Sequence, residues 1–514
     1  MMRTWILAGA VLILAAVAGS PAQAFSKDSL VYKKCTDCHA VKDGKISRVE
    51  EIRTTPEEWW VIVDRMERLY GMELAAGEME QLLKELCATQ ILTPEEQAKV
   101  YYLSLQHNSQ FMEIPDGPDQ EHLFTNCVRC HTAGKIYSYR MTPKAWAKVR
   151  DFHHYVTPTV HLQMRELRWR PEADKALAYL GKNYPYGQAW KAPDYKIDGS
   201  WVLVGREPGK GDYRGRATLE AAGGGEYRLK GTLAYADGTS ESFTGDATLY
   251  GGYALRTRTQ HNGFATRGAY TFFSAGEARG ENHFEAPRFR TSASRWVRDD
   301  GVARVLRVSP GFVLAGEETT VTIEGMNLPE VQEGGVAFTG GVEVLSAART
   351  GRDTITARVR YSGKTLADAD LTVKGAESAG VALKAAPKVD RIAVVPGTGR
   401  ARLAAGPHYP AEGVQFEAMA YAEGDVALGP VPAAFRVEEE STRHDDDDLQ
   451  WVGGIGPNGS YVPIGDYAPV PSRRYSGEAS GWVKVVARYE GGGTPLEAEA
   501  HLAVTMPDFI PRIR

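Results

Sequence analysis

Cys35-Thr36-Asp37-Cys38-His39 and Cys127-Val128-Arg129-Cys130-His131 read C-x-x-C-H twice in one chain. This is the attachment signature of c-type haem: two thiols add across the porphyrin vinyl groups, and the adjacent histidine reaches the iron. A four-cysteine zinc site also uses C-x-x-C pairs. Here 88 residues, positions 39 to 126, separate Cys38 from Cys127, against about 15 to 20 in a zinc ribbon. Zinc also has no need of a histidine after both pairs, and a disulfide framework leaves both histidines unexplained. The reading is two covalent haems held by Cys35, Cys38, Cys127 and Cys130, with His39 and His131 on the irons. An all-α cytochrome c domain is expected around them.

An internal repeat surrounds the two motifs. Arg53-Thr54-Thr55-Pro56-Glu57-Glu58-Trp59 matches Arg140-Met141-Thr142-Pro143-Lys144-Ala145-Trp146 at identical internal spacing. Each begins a helix, since Thr55 or Thr142 can cap free N–H groups and proline suits the first helical position. Glu58 is expected to complete a capping box with Thr55. Further on, Pro94 to Tyr102-Leu103 matches Pro171 to Tyr179-Leu180. Each haem unit thus reads as a C-x-x-C-H segment, a Trp-bearing helix and a closing Tyr-Leu helix, as in small cytochromes c.

Helix faces nominate the sixth iron ligands. Trp59, Ile62, Val63 and Met66 stand at i, i+3, i+4 and i+7, one apolar stripe. In the second copy the stripe is Trp146, Val149 and His153, so a histidine takes the slot of Met66. An imidazole aimed at an interior is costly unless bound or hydrogen-bonded. The second haem iron satisfies it, and by the symmetry of the repeat Met66 becomes the ligand of the first iron; ordinary core packing is the other reading of Met66. His154, one step off the stripe, and His161 rival His153, while Met72 and Met79 rival Met66. His/Met ligation raises a haem potential, so the haem at His131 is expected to sit lower and to pass electrons to the haem at His39. Cys87, in the helical segment Gln81 to Cys87 that the second copy lacks, reads as a small buried residue rather than an intersubunit thiol.

The remaining sequence sets the context. Its 514 residues carry a formal net charge of −5, with 43% hydrophobic and 24% charged residues, which excludes a disordered or collagen-like chain and suggests no nucleic-acid partner. Residues 1–24 read as a signal peptide: a basic Met1-Met2-Arg3, an apolar run from Trp5 to Ala18 and a cleavage site at Ala22-Gln23-Ala24. The run is shorter than the ~20 residues of a membrane span, and no later stretch of the mature chain is long or apolar enough to be one. A periplasmic protein is expected, where cysteines are paired or committed to a cofactor.

After Tyr184-Pro185-Tyr186-Gly187 the composition turns to strands. Tyr227 to Leu233, Gly245 to Tyr250 and Tyr253 to Thr259 alternate or are rich in aromatic and β-branched residues, with a hairpin turn at Ala236-Asp237-Gly238-Thr239. Regular spacing to about residue 300 suggests an antiparallel barrel. From Val305, Arg307-Val308-Ser309-Pro310-Gly311 and Val321-Thr322-Ile323-Glu324-Gly325-Met326-Asn327-Leu328 resemble the opening strands of immunoglobulin-like sandwiches. The expected division is a signal peptide 1–24, a dihaem domain 25–190 (units at about 25–108 and 118–190), a barrel 191–303, and immunoglobulin-like sandwiches 304–387 and 388–514. The acidic run at 438–448, Glu438 to Glu440 with Asp445 to Asp448, reads as a solvated loop; it lacks the spaced ligands of an EF-hand.

The repeated Arg-x-Thr-Pro-x-x-Trp, the paired C-x-x-C-H motifs and this order of domains together resemble the α subunit of quinohaemoprotein amine dehydrogenase along essentially the whole mature chain. The resemblance implies a dihaem electron-transfer subunit within a heterotrimer. In that family a small γ subunit carries the cysteine tryptophylquinone that oxidises a primary amine, and a β-propeller β subunit packs beside them. Electrons then leave through this chain to an azurin-type copper protein or a cytochrome c. A dihaem cytochrome c peroxidase and a periplasmic haem-based redox carrier or sensor are the alternatives; the first leaves the β domains without a role.

Overall fold

The computed structural model describes residues 25–100, 115–128, 131–155, 160–161, 164–187, 192–287, 289–404, 406, 410–442, 444, 446–465, 473, 479–491 and 493–506. The expected signal peptide, Cys130, and Tyr102 and Leu103 of the first closing helix lie outside the described residues.

The N-terminal region is helical. Helices Leu30–Cys35, Pro56–Tyr70, Glu78–Thr89 and Pro94–Gln97 make the first copy, and Ala133–Tyr137, Pro143–Tyr155 and Trp169–Asn183 belong to the second. The helix starts follow the sequence signals: Thr55 accepts the Glu58 N–H and Pro56 sits at the first turn, while Thr142 accepts the Ala145 N–H at 3.2 Å. Gly71, at φ +73°, closes the Pro56–Tyr70 helix in the left-handed region, where a Cβ is unfavourable, and returns its N–H to the Met66 carbonyl.

Two expectations for this region need correction. Glu58 does not complete a box at Thr55; its buried carboxylate instead accepts Lys135 Nζ (3.1 Å) and Tyr139 Oη (2.7 Å) of the second copy. The reciprocal box occurs at Thr93 and Glu96. Nor is the region purely helical. Val41–Lys42 pairs with Lys45–Ile46, and Ile52–Arg53 pairs antiparallel with Arg140–Met141, Arg53 opposite Arg140. The second pair joins the two copies: it precedes each Thr-Pro helix start, so matching segments of the repeat meet edge to edge.

Strands Gly199–Glu207, Gly211–Gly223, Glu226–Tyr235, Ser240–Tyr250, Ala254–His261, Phe264–Ser274, Glu277–Phe284 and Thr291–Arg298 close into an eight-stranded antiparallel barrel. Period-two alternation builds it: Tyr227, Leu229, Leu233 and Tyr235 are buried from one strand. Gly231, at the inward position between them, leaves room for the Phe243 ring, which lies 2.4 Å from where a Cβ would stand. Trp201, Tyr253, Phe272 and Trp296 of the barrel share one continuous core with Val31, Trp59, Leu82, Leu86 and Ile91 of the first copy.

Beyond the barrel, two four-stranded sheets face each other across Val321, Ile323, Ile355, Leu371 and Leu383 as a sandwich, with strands from Arg304–Ser309 to Ala382–Ala386. Strands from Arg391–Val395 to Leu496–Thr505 form three further sheets around Phe416, Tyr461, Val485 and Leu502. The acidic run is not a uniformly solvated loop: Asp448 is fully buried, ion-pairs with Arg473 and accepts the Trp482 N–H at 2.7 Å. No helix among the described residues is long and apolar enough to cross a membrane.

Candidate haem site

The first motif is folded by one helix end. Leu30–Cys35 terminates at Cys35, whose carbonyl accepts the N–H groups of Cys38 (3.3 Å) and His39 (2.8 Å). That turn brings Cys35, Cys38 and His39 onto one wall of a cavity of about 550 Å³, within the ~300–1,000 Å³ range of ligand sites. Burial, and secondarily the Arg48 cation, hold the His39 imidazolium pKa below its ordinary value. The ring therefore favours the neutral form that can donate a lone pair to a metal. Burial pushes the Cys35 thiol up to about 11, with the Asp37 carboxylate adding to it.

Cys127 and His131 of the second motif line the same cavity. Cys127 lies in a short π-helical turn, Phe124–Val128, and Thr132 caps the helix that begins just after His131. The cavity thus joins the two motifs into one site.

The proposed sixth ligands also reach this cavity. Trp59, Ile62, Val63 and Met66 line it from the Pro56–Tyr70 helix, and Trp146, Val149 and His153 line it from Pro143–Tyr155. The His153 Nδ1 lies 2.8 Å from the Val149 carbonyl. A carbonyl only accepts, so Nδ1 carries the hydrogen and Nε2 the lone pair, the tautomer of a ring that binds metal through Nε2. His154 and His161 hydrogen-bond each other instead, Nδ1 to Nε2 at 2.8 Å, and neither is on the cavity wall. Among the methionines Met72 lines the cavity beside Met66, whereas Met79 packs against the core shared with the barrel. Cys87 is fully buried in that core, where burial drives its thiol pKa well above the ordinary value.

The sequence reading assigned no role to the arginine that opens each repeat. Arg53 donates to both oxygens of Glu96 at 2.8 and 3.1 Å, and Arg140 Nε donates to Glu96 Oε1 at 2.9 Å. Burial alone would raise the Glu96 pKa, but the two guanidinium groups hold it below the ordinary carboxylate range. One carboxylate therefore ties the two copies together, and the repeated arginine is the sequence signal for it. Trp146 and Trp169 were likewise passed over as polar groups: both line the cavity, and both indole Nε1–H groups are buried without a partner among the described residues. What fits a covalently held haem on this cavity is the donor set itself, the Cys35, Cys38 and Cys127 thiols with the His39 and His131 imidazoles.

Comparison with known proteins assigns the lineage. The family model described as quinohemoprotein amine dehydrogenase A, alpha subunit, haem binding, matches residues 25–190. Models for alpha subunit domain II and domain IV of the same dehydrogenase match residues 194–292 and 392–513. No curated protein matches. Among solved structures, a redesigned β-barrel bound to DFHBI is similar at 13% identity over 20% of this chain and 98% of that one, with a TM-score of 0.18. The Yersinia pseudotuberculosis adhesin InvE is similar at 16% identity over 39% of this chain and 58% of that one, with a TM-score of 0.14. Scores this low carry no argument. The three family matches do: they follow one another in domain order, the first spans both C-x-x-C-H motifs, and the chain belongs to the quinohemoprotein amine dehydrogenase alpha-subunit family.

Proposed function

We propose that this chain is the dihaem electron-transfer subunit of a periplasmic amine dehydrogenase. Cys35 and Cys38 hold one c-type haem and Cys127 and Cys130 the other; His39 with Met66, and His131 with His153, complete the two iron coordination spheres. When bound, the haems supply one-electron transfer. The residues of this chain orient them: the Cys35 turn and the helix capped by Thr132 fix the motifs, the Val149 carbonyl sets the His153 tautomer, and the paired strands at Arg53 and Arg140 fix one unit against the other. In this reading a small γ subunit carries the cysteine tryptophylquinone and oxidises the primary amine. A β-propeller β subunit completes the heterotrimer, and an azurin-type copper protein or cytochrome c takes the electrons.

The observation that carries this reading is the single cavity onto which both motifs, Met66 and His153 converge. A shared cavity suits electron passage between two centres better than two sites isolated in separate cores. The test is to purify the native complex anaerobically and add a primary amine. Reduction of both haems is expected; haems that stay oxidised with amines yet reduce with dithionite would show the reading to be wrong.

A further inference from the structure

Lys34, Arg48, Arg65, Lys135, Lys148 and Arg150 stand on the wall of the cavity, and among the described residues no aspartate or glutamate does. Carboxylates off the wall neutralise four of these cations. Lys34 pairs with Glu78 at 2.7 Å, Lys135 with Glu58 at 3.1 Å, Lys148 with Asp151 at 3.7 Å and Arg150 with Asp174 at 2.6 Å. The side chains of Arg48 and Arg65 form no ion pair or hydrogen bond among the described residues.

The repeat explains where Arg65 stands. Counted from Pro56 and Pro143, Arg65 and Phe152 hold the same position in their helices, each just before a nominated sixth ligand, Met66 or His153. These equivalent positions meet: Arg65 Cζ lies 4.8 Å from the centroid of the Phe152 ring, inside the ~6 Å reach of a cation–π contact. Burial drives the Tyr139 phenol pKa well above its ordinary value, and the Arg65 charge is close enough to oppose that rise. The guanidinium thus sits on the seam between the two copies, beside two aromatic side chains that also line the cavity. A ring anchors a cation without cancelling its charge, as a carboxylate would. Arg65 is half-buried, so solvent ions screen it less than a fully exposed group.

We infer that Arg65 is a charge shared by the two haems, an uncompensated cation on the seam that raises the reduction potential of both. The inference rests on the proposed dihaem reading and deepens it. Oxidising a haem iron removes one electron and adds one positive charge, which a fixed cation nearby disfavours by Coulomb repulsion. Arg65 is the chain neighbour of one nominated ligand and touches the chain neighbour of the other, so it acts on both centres. Arg48 differs. Burial first, and then the Arg48 charge, lower the His39 pKa, which places that cation by the first motif alone. A shift common to both haems leaves the driving force between them unchanged and moves the pair together against an outside donor or acceptor.

The test is a spectroelectrochemical titration of the complete holoprotein, with its haem content counted as the pyridine haemochrome. In Arg65→Gln both waves are expected to fall, each by threefold to tenfold in its equilibrium constant, about 28–59 mV for a one-electron couple, with their separation kept. Arg65→Lys retains the charge and should bring both waves back towards the wild-type potentials. Arg48→Gln should lower one wave only. Unmoved waves or a single moved wave in Arg65→Gln would overturn the inference, as would a lysine variant displaced as far as the glutamine one. So would an Arg48→Gln protein in which both waves fall equally. Each of these results leaves the dihaem reading standing; a wild-type chain that holds one haem would overturn that reading, and the inference with it.

Discussion

The two C-x-x-C-H units share a sequence repeat but not a foundation. The first is continuous with the barrel. Val31, Trp59, Leu82 and Leu86 pack in the same core as Trp201, Tyr253 and Phe272. Glu57 and Arg256 form an ion pair across the junction, and Tyr253 donates to the Leu92 carbonyl. The second unit keeps small cores of its own, around Leu123, Met141, Trp146 and Leu180 and around Met164 and Trp169. It meets the first through the short strand pair, Glu58 and Glu96. A duplicated module thus yields two environments: one copy is mounted on a rigid barrel, and the other hangs from its twin.

Substitutions can break or sharpen that contrast, beginning with the ligand slot where the copies differ outright. In Met66→Ala the weak sulfur-to-iron band at the red end of the oxidised spectrum should vanish, while His153→Ala should leave it in place. Persistence of the band in Met66→Ala, with its loss in Met72→Ala, would transfer the assignment to Met72, the other methionine on the wall.

Glu57→Gln leaves Arg256 charged and buried, and breaking such a pair costs about 3–5 kcal/mol. Denaturant unfolding followed at barrel tryptophans and at the first haem should report this loss together, because one core holds both. Glu96→Gln strips the shared acceptor from Arg53 and Arg140, whose side chains are only 4% and 7% exposed, although Glu96 itself is 24% exposed. A smaller loss of about 1–3 kcal/mol is expected. Hydrogen exchange should place it in the second unit, with barrel protection unchanged; an equal loss in the barrel would refute the contrast.

Acid should act in the same order. Burial works to raise the Glu57 pKa, but the Arg256 guanidinium overrides it and holds the carboxyl below its ordinary value; Glu96 behaves likewise. A depressed folded-state pKa adds stability that is fully present above the unfolded carboxylate pKa and is lost as pH falls through the folded one. Thermal melts from neutral pH downward should therefore show stability falling below the ordinary carboxylate range. Glu57→Gln should flatten that dependence more than Glu96→Gln does.

The difference between the units was only partly legible in the chain. Periodicity found the barrel, because strands such as Glu226–Tyr235 bury every second residue and carry a distinct turn after them. Local chemistry found the helix starts at Thr55 and Thr142, since a cap and a proline act within one turn. The role of Glu58 was misread for the opposite reason: the capping box is a local option, and Lys135 and Tyr139, far along the sequence, outbid it with a charge-assisted contact inside the fold. Arg53 and Arg140 were visible as a repeat, yet their convergence on Glu96 depends on antiparallel pairing that no single window of sequence records. His153 was found because a histidine on an apolar stripe conflicts with its surroundings; Trp146 and Trp169 escaped because an indole is at home in a core and its one N–H leaves no mark on hydropathy.

The closed barrel also limits how this chain can be recognised. Each of its eight strands is already hydrogen-bonded on both sides, so it offers no free edge onto which another polypeptide could add a strand. Any protein that grips this module must read side chains on its outer wall or the loops at its rims. Such contacts can be rewritten one residue at a time, without disturbing the backbone that supports the first C-x-x-C-H unit.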